Sequence, residues 1–286
     1  MNKIEKTIEL TLLVCALSSI IAIFLIIFFI ISNGIPIIMK EGLIEFLTGT
    51  KWMPSYEIYG IFPMIISTIA VTLLALIIGF PLGLGCAILI AEVAPSQARD
   101  ILRPAIETLA GIPSVVYGFF GLLILIPFIL NTFGGDGYSV LACGLILAVM
   151  ILPTIISVSE DAIRAVPNEF REGSLALGAT KWQVITGIIV PTARSGIIAS
   201  AILGMGRAIG ETMAVLMVGG TVVMIPDSLL SPVAPLTAVI ALEWGYASGD
   251  HQIALFAVGI VLLIVIMALN IVIYMANKQK STNVRV

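Results

Sequence analysis

The sequence predicts an all-α, polytopic membrane protein with six transmembrane helices. Three observations carry this. Hydrophobic residues make up 59% of the 286-residue chain and charged residues only 11%, with a mean hydropathy of +1.16. A soluble domain carries about 25% charged residues, so this chain lacks the charge to cover a water-facing surface. Six stretches stay free, or nearly free, of Asp, Glu, Lys and Arg for long enough to cross about 30 Å of hydrocarbon, which takes about 20 residues at 1.5 Å each. Lys and Arg also fall unevenly between the segments that join those stretches. The net charge of −3 argues against a nucleic-acid binder.

The spans follow in order. The run 10–39 places a first helix at about 10–32. Lys3 and Lys6 precede it as they would a cleaved signal, but its apolar core exceeds the usual ~7–15 residues and no small-x-small site follows, so the helix is read as retained. The run 58–91 gives a second span at about 61–91, in which Gly79, Pro81, Gly83 and Gly85 mark a kink or a change in packing. The third and fourth spans are placed at about 108–130 and 138–159. The fifth, at about 195–222, is interrupted only by Arg207 and Glu211. The sixth lies at about 252–276. The runs are continuous, without the alternation of a β-barrel. Pro113, Pro127 and Pro153 read as helix kinks. Cys15, Cys86 and Cys143 have no metal or disulfide spacing and read as small buried hydrophobes.

Six spans put both termini on one side. That side holds Lys3, Lys6, Arg99, Arg103, Arg164, Arg171, Lys181, Arg194, Lys278, Lys280 and Arg285, against Lys40 and Lys51 on the other. The excess places both termini, including a tail at 278–286, in the cytoplasm. The outer loops are then about 32–60, 131–138 and 223–250, and the inner ones about 92–107 and 160–194. Trp52, Trp182, Trp244 and the lone histidine, His251, fall near membrane boundaries as interfacial anchors. Gly134-Gly135-Asp136-Gly137 reads as a tight turn with too few oxygen ligands for a metal. Leu236–Leu242, after Pro226, Pro232 and Pro235, reads as a short helix on the outer surface, facing a substrate-binding protein.

The inner loop 160–194 is too long for a plain connector. Asn168 is predicted as a helix N-cap, with Glu169 on the favourable side of the dipole and Gly178 as the stop. A solvated surface helix and a docking knob both fit; Gly173 and Ser174 would let another protein come close. Glu172-Gly173-Ser174-x-x-x-Gly178, followed after nine residues by Ile188-x-Val190-Pro191, resembles the E-A-A-x3-G-x9-I-x-L-P loop of ABC importer permeases. It departs from that pattern at Gly173, Ser174 and Val190. The stretches 109–118, 171–180, 206–215 and 254–259 resemble the PstC-type permease subunits of phosphate importers. Met213-Ala214 stands where PstA-type subunits usually have Ala-Pro. The resemblance spans about 52–270. It implies a type I (MetI-like) permease fold over 61–277 preceded by an extra helix and outer loop in 1–60. It also implies a coupling helix between the fourth and fifth spans, with Glu172, Gly173, Ser174 and Gly178 meeting a cytoplasmic ATPase.

Within the fifth span, Arg207 and Glu211 stand four residues apart, one turn along the same helix face. Charges at membrane depth face a bundle interior or a wet cavity. One reading is a structural ion pair that pins helix packing. The other puts Arg207 on an anion path, since guanidinium geometry suits phosphate oxygens, with Glu211 positioning it and keeping the hold weak enough for release. Thr212 either donates to the anion or bonds back to its own chain. Gly206 and Gly210 read first as helix-packing glycines.

No G-x-x-x-x-G-K-[ST] loop, nucleophile elbow or zinc motif occurs, so the chain is expected to be a transport subunit rather than an enzyme, without cofactor, drawing energy from a partner. The resemblance implies those partners: a PstA-like second permease, a PstB-like ATPase dimer and a PstS-like extracytoplasmic phosphate-binding protein, in the cell membrane of a bacterium or archaeon. Permeases for sulfate, molybdate or tungstate, an ion-coupled secondary transporter, and a non-transporting signalling subunit stay open as alternatives.

Overall fold

A computed structural model describes residues 3–282. Residues 283–286 of the tail predicted at 278–286, Arg285 among them, lie outside the described residues, as do the side chains of Lys3, Lys278 and Lys280. Among the described residues the chain is mostly helical, with one short hairpin and an isolated parallel bridge between Gly220 and Val233. Five helices are long and apolar enough to cross a membrane, and a bent pair brings the number to six when it is counted as one span.

Helix α1 (Lys3–Glu41) turns almost all of its apolar surface outward. It packs mainly against the last helix, α14 (Asp250–Thr282), with a smaller contact to the segment that follows α1. Gly34 makes this approach possible: a Cβ there would sit 2.7 Å from Ile260 Cδ1 and 2.8 Å from the Ala257 backbone nitrogen. Helix α2 (Leu43–Thr48) and the hairpin β1 (Trp52–Met53) and β2 (Ile58–Tyr59), paired antiparallel, close this end and bury Phe46, Trp52 and Tyr59.

The core is a pair of long helices, α3 (Phe62–Ile88) and α7 (Val140–Arg164). Their surfaces interlock because each places small residues opposite the other's branched ones. Gly79 lies against Ile151, Gly83 against Ile155, and Gly144 against Leu74. This is the close-packing outcome of the glycine pattern, and α3 runs unbroken through Pro81. Backbones that approach this closely gain dispersion contacts, which must replace the hydrophobic effect between helices inside a membrane. A π-type turn, Leu89–Val93, ends α3.

The third crossing starts later than the charge count placed it. An amphipathic helix α4 (Ser96–Ala110), with no buried residue, fills the segment read as a loop at 92–107 and runs past residue 108. The chain then turns at Gly111–Pro113, and α5 (Ser114–Phe120) and α6 (Ile126–Phe133) form the crossing around a π-type turn. The turn carries no charge, so a charge count passes over it. Gly134, Gly135 and Gly137 all have positive φ (80°, 77° and 79°) in the tight turn before α7. Ser139 caps α7 by accepting from the Ala142 nitrogen, and the Val140 and Leu141 nitrogens donate to the carbonyls of Ser231 and Leu229. A distant loop thereby satisfies orphan donors at this helix start.

After α7 come α8 (Asn168–Ala176), α9 (Lys181–Val184), α10 (Val190–Thr192) and α11 (Arg194–Gly210). The segments 181–192 and 194–210 meet at 68°. Helix α11 packs on α7 through Gly196 and Gly204, and a Ser159–Ser200 hydroxyl pair, 2.8 Å apart and fully buried, joins the two. The fifth crossing is therefore not a helix over 195–222. It stops at Gly210, and a short helix α12 (Met213–Val218) follows, packed against Gly118 and Gly121. Helix α13 (Leu236–Glu243) is not a surface helix either: Leu236, Thr237, Ala238 and Val239 are buried. Of the three cysteines only Cys143 is buried in the chain; Cys15 and Cys86 lie on outward faces.

Candidate functional site

Arg207 sits in the last turn of α11, and its Nη1 donates to Thr154 Oγ1 of α7 at 3.5 Å. The helix ends three residues later. Glu211 has extended backbone (φ −70°, ψ 129°), so the i,i+4 stacking that an unbroken helix would give is absent. Among the described residues Arg207 and Glu211 form no ion pair: Glu211 Oε1 accepts instead from the Ala214 nitrogen at 3.3 Å. The ion-pair reading of these two residues is thereby corrected. The physical reason is the break itself, which carries the carboxylate off the helix face.

The break is held from the side. The Glu211 carbonyl accepts from Thr237 Oγ1 at 3.0 Å, and the Leu236 nitrogen donates to Thr68 Oγ1 at 3.0 Å. The start of α13 thus ties the broken end of α11 to α3. Thr68, Thr72, Glu211 and Thr237 share the lining of a narrow crevice here with apolar side chains such as Val71 and Leu147. Thr212 Oγ1 donates to the Gly210 carbonyl at 3.2 Å, the local bond that a membrane threonine commonly makes. Gly206 and Gly210 do not pack on another helix of this chain, since a Cβ at either would meet open space. The close-packing role expected of them falls to Gly196 and Gly204. Arg207 therefore stands beside a glycine-lined, uncovered face at a helix break.

Helix α8 displays the predicted coupling residues. It buries no side chain. Glu172 and Gly173 are exposed, Ser174 Oγ bonds back to the Phe170 carbonyl at 2.6 Å, and Leu177 is 91% exposed. Pro167, not Asn168, is the N-cap; Asn168 occupies the first helical position, where its Oδ1 accepts from Arg171. Gly178, at φ +85°, ends the helix as predicted, in the left-handed conformation that a side chain resists. Thr180 and Gln183 form a capping box that starts α9.

One pairing here escaped the sequence reading. The Arg171 guanidinium donates to Glu92 through Nη2 (2.6 Å) and Nε (3.1 Å), and to the carbonyls of Ile163 and Val166. Glu92 lies in the π-type turn after α3, and the two side chains are 10% and 19% exposed. A carboxylate at the end of a charge-free run is a signal that a partner is needed, but nothing local points to a residue 79 positions away.

His251, near the start of α14, pairs with α13. Its Nε2 lies 2.6 Å from Glu243 Oε2, and the same carboxylate accepts from Trp52 Nε1 at 2.9 Å. Hairpin, α13 and α14 meet at this point. Burial raises the Tyr59 hydroxyl pKa, with Asp250 and Glu57 adding to the effect.

This architecture defines a class: a polytopic membrane protein whose spans are built from closely packed and broken helices. The chain belongs to the family described as "Binding-protein-dependent transport system inner membrane component", whose profile matches residues 79–282. It is 42% identical over 275 residues to the "Probable ABC transporter permease protein YqgH" of Bacillus subtilis, covering 93% of this chain and 89% of that one. It is 38% identical over 249 residues to the "Phosphate transport system permease protein PstC" of Xylella fastidiosa, covering 80% and 77%. Among solved structures, a bacterial ABC transporter involved in alginate import shares the fold at TM-score 0.62 and 16% identity, over 97% of this chain and 99% of that one. The MetNI methionine ABC transporter, in an inward-facing form, shares it at TM-score 0.58 and 23% identity, over 77% and 94%.

Proposed function

We propose that this chain is the PstC-type permease subunit of an ATP-driven phosphate importer and forms half of its translocation path. The observation that carries the mechanism is Arg207, hydrogen-bonded to Thr154 and flanked by Gly206 and Gly210 on an uncovered face at the end of a broken helix. The phosphate relatives supply the substrate class. A second, PstA-like permease faces this surface. A PstB-like ATPase dimer receives α8 through Glu172, Gly173, Ser174 and the turn at Gly178. A PstS-like binding protein delivers phosphate from outside, and both termini lie in the cytoplasm. ATP closes the ATPases, α8 moves, and the crossings tilt to open outward; phosphate passes Arg207, and hydrolysis resets the path inward. Glu211 and Thr212 stand beside the path, Glu211 lowering its affinity for anions.

The test is uptake of labelled phosphate at low external concentration by cells lacking this gene, then by cells carrying wild type or Arg207→Gln, with unlabelled sulfate as competitor. Restoration by wild type, indifference to sulfate and loss with an assembled Arg207→Gln support the proposal. Normal uptake by Arg207→Gln refutes the role of Arg207, and competition by sulfate refutes the substrate.

A further inference from the structure

Helix α8 has no fully buried apolar anchor: Phe170 and Leu175 are each 50% exposed. None of its side chains is buried, and Gly173 faces open space. What fastens it is Arg171, whose guanidinium reaches two destinations at once. One is the end of α7, through the Ile163 and Val166 carbonyls. The other is Glu92, in the turn that ends α3. That turn is itself held from α4, because Arg99 donates through Nε to the Ile90 carbonyl at 3.1 Å and through Nη2 to the Ala91 carbonyl at 3.3 Å. Beyond it lies the closely packed pair of α3 and α7. At its far end α3 holds the start of α13 through Thr68, and α7 holds Arg207 through Thr154.

We infer that the Arg171–Glu92 pair is the tie through which displacement of α8 reaches α3 and α7. Arg171 is a positioning residue: it touches no substrate, and its effect on transport runs through the two helices it joins. The chemistry suits a force-bearing contact. A bidentate Arg–carboxylate pair fixes direction as well as distance, and with both groups largely out of water, breaking it leaves a poorly solvated charge. An apolar contact would let the helix slide.

The inference rests on the importer reading, and the experiment separates the two. The full complex, with second permease, ATPase dimer and binding protein, is reconstituted in proteoliposomes as wild type, Glu92→Gln and Glu92→Ala. Three quantities are read: ATPase retained on purification, ATP hydrolysed in the presence of the loaded binding protein, and phosphate taken up per ATP. The expected result is retention of the ATPase within twofold and continued hydrolysis. Phosphate per ATP should fall at least tenfold in Glu92→Ala and less in Glu92→Gln, which keeps one acceptor. Unchanged phosphate per ATP in Glu92→Ala overturns the inference. So does loss of the ATPase from the purified Glu92 variants, which would make the pair a folding contact for α8. Absence of ATP-dependent uptake by wild type refutes the importer reading instead.

Discussion

Alanine at Gly196 tests the approach of α11 to α7 quantitatively. The added Cβ would lie 2.3 Å from Ala162 Cβ, where ordinary contact begins near 3.4 Å. Both atoms are fixed to helical backbone, so no side chain can swing aside and the helices must part by about 1.1 Å. Overpacking of this kind costs about 1–3 kcal/mol. Alanine also gains up to about 1 kcal/mol over glycine within a helix, which would mask part of the loss. Gly206→Ala measures that gain alone, since nothing lies within 4 Å of its Cβ. The difference between the two variants isolates the steric cost: about 1–3 kcal/mol, or roughly 5- to 150-fold in the folded-to-unfolded ratio. The assay is reversible denaturation of the purified chain in detergent micelles, followed by tryptophan fluorescence. Adding Ala162→Gly should recover the loss apart from about 1 kcal/mol for the new helix glycine. Equal stability of Gly196→Ala and Gly206→Ala would refute the packing argument for this end of the bundle.

Three further outcomes follow from the same geometry. Ser159→Ala should cost only about 0.6 kcal/mol, a typical interhelical hydrogen bond in a membrane, because Ser200 Oγ still donates to the Ile197 carbonyl at 2.6 Å; a loss several times larger in the same denaturation assay would contradict this. Asp227 is held below its ordinary pKa of 3.8, first by the Ser231 hydroxyl and then by backbone donors. A depressed carboxylate stabilises the fold fully above its unfolded pKa and loses that contribution as pH falls through the folded one. The advantage of wild type over Asp227→Asn should therefore be present at neutral pH and vanish in strong acid, and a pH-independent gap would exclude the cause. Gly178→Ala, at φ +85°, forces an L-residue into the left-handed region at about 1–2 kcal/mol, and should loosen the end of α8 and lower ATPase retention on the purified complex without changing the thermal midpoint of the transmembrane bundle.

The crossings were legible in the sequence because a bilayer excludes charge, and a missing charge can be counted. What interrupts a crossing without charge was not. Gly111–Pro113 turns the chain inside an apolar run, and α11 stops at Gly210 within a stretch whose composition suits a helix throughout. Glycines announced close approach, but spacing does not say which face meets a neighbour. Gly196 and Gly204 touch α7, while Gly206 and Gly210, equally small, face open space. Arg207 stood out because a lone intramembrane cation needs a reason. Its partner, Thr154, stood out for nothing. Arg171 and Glu92 were ordinary surface charges until folding brought them together, and only then did their burial give them a role.

The break at Gly210 also changes what Glu211 does. Had the helix continued, the carboxylate would have neutralised Arg207 and left little field for an anion. Displaced onto the Ala214 nitrogen, it does not occupy the guanidinium; on the path proposed above it would oppose an anion seated at Arg207, and the carboxyl end of α11 would add its own partial negative charge. A path needs attraction sufficient for entry and weak enough for exit. Glu211→Gln keeps an acceptor for the Ala214 nitrogen and removes the charge. For scale, two unit charges about 8 Å apart at an effective dielectric of about 20 interact by roughly 2 kcal/mol, about thirtyfold in dissociation. The variant should therefore hold labelled phosphate on the purified complex more tightly while its maximal uptake rate, at saturating loaded binding protein, falls. Slower uptake without increased retention would assign Glu211 to shaping the break rather than to the field along the path, and unchanged values of both would remove it from the mechanism.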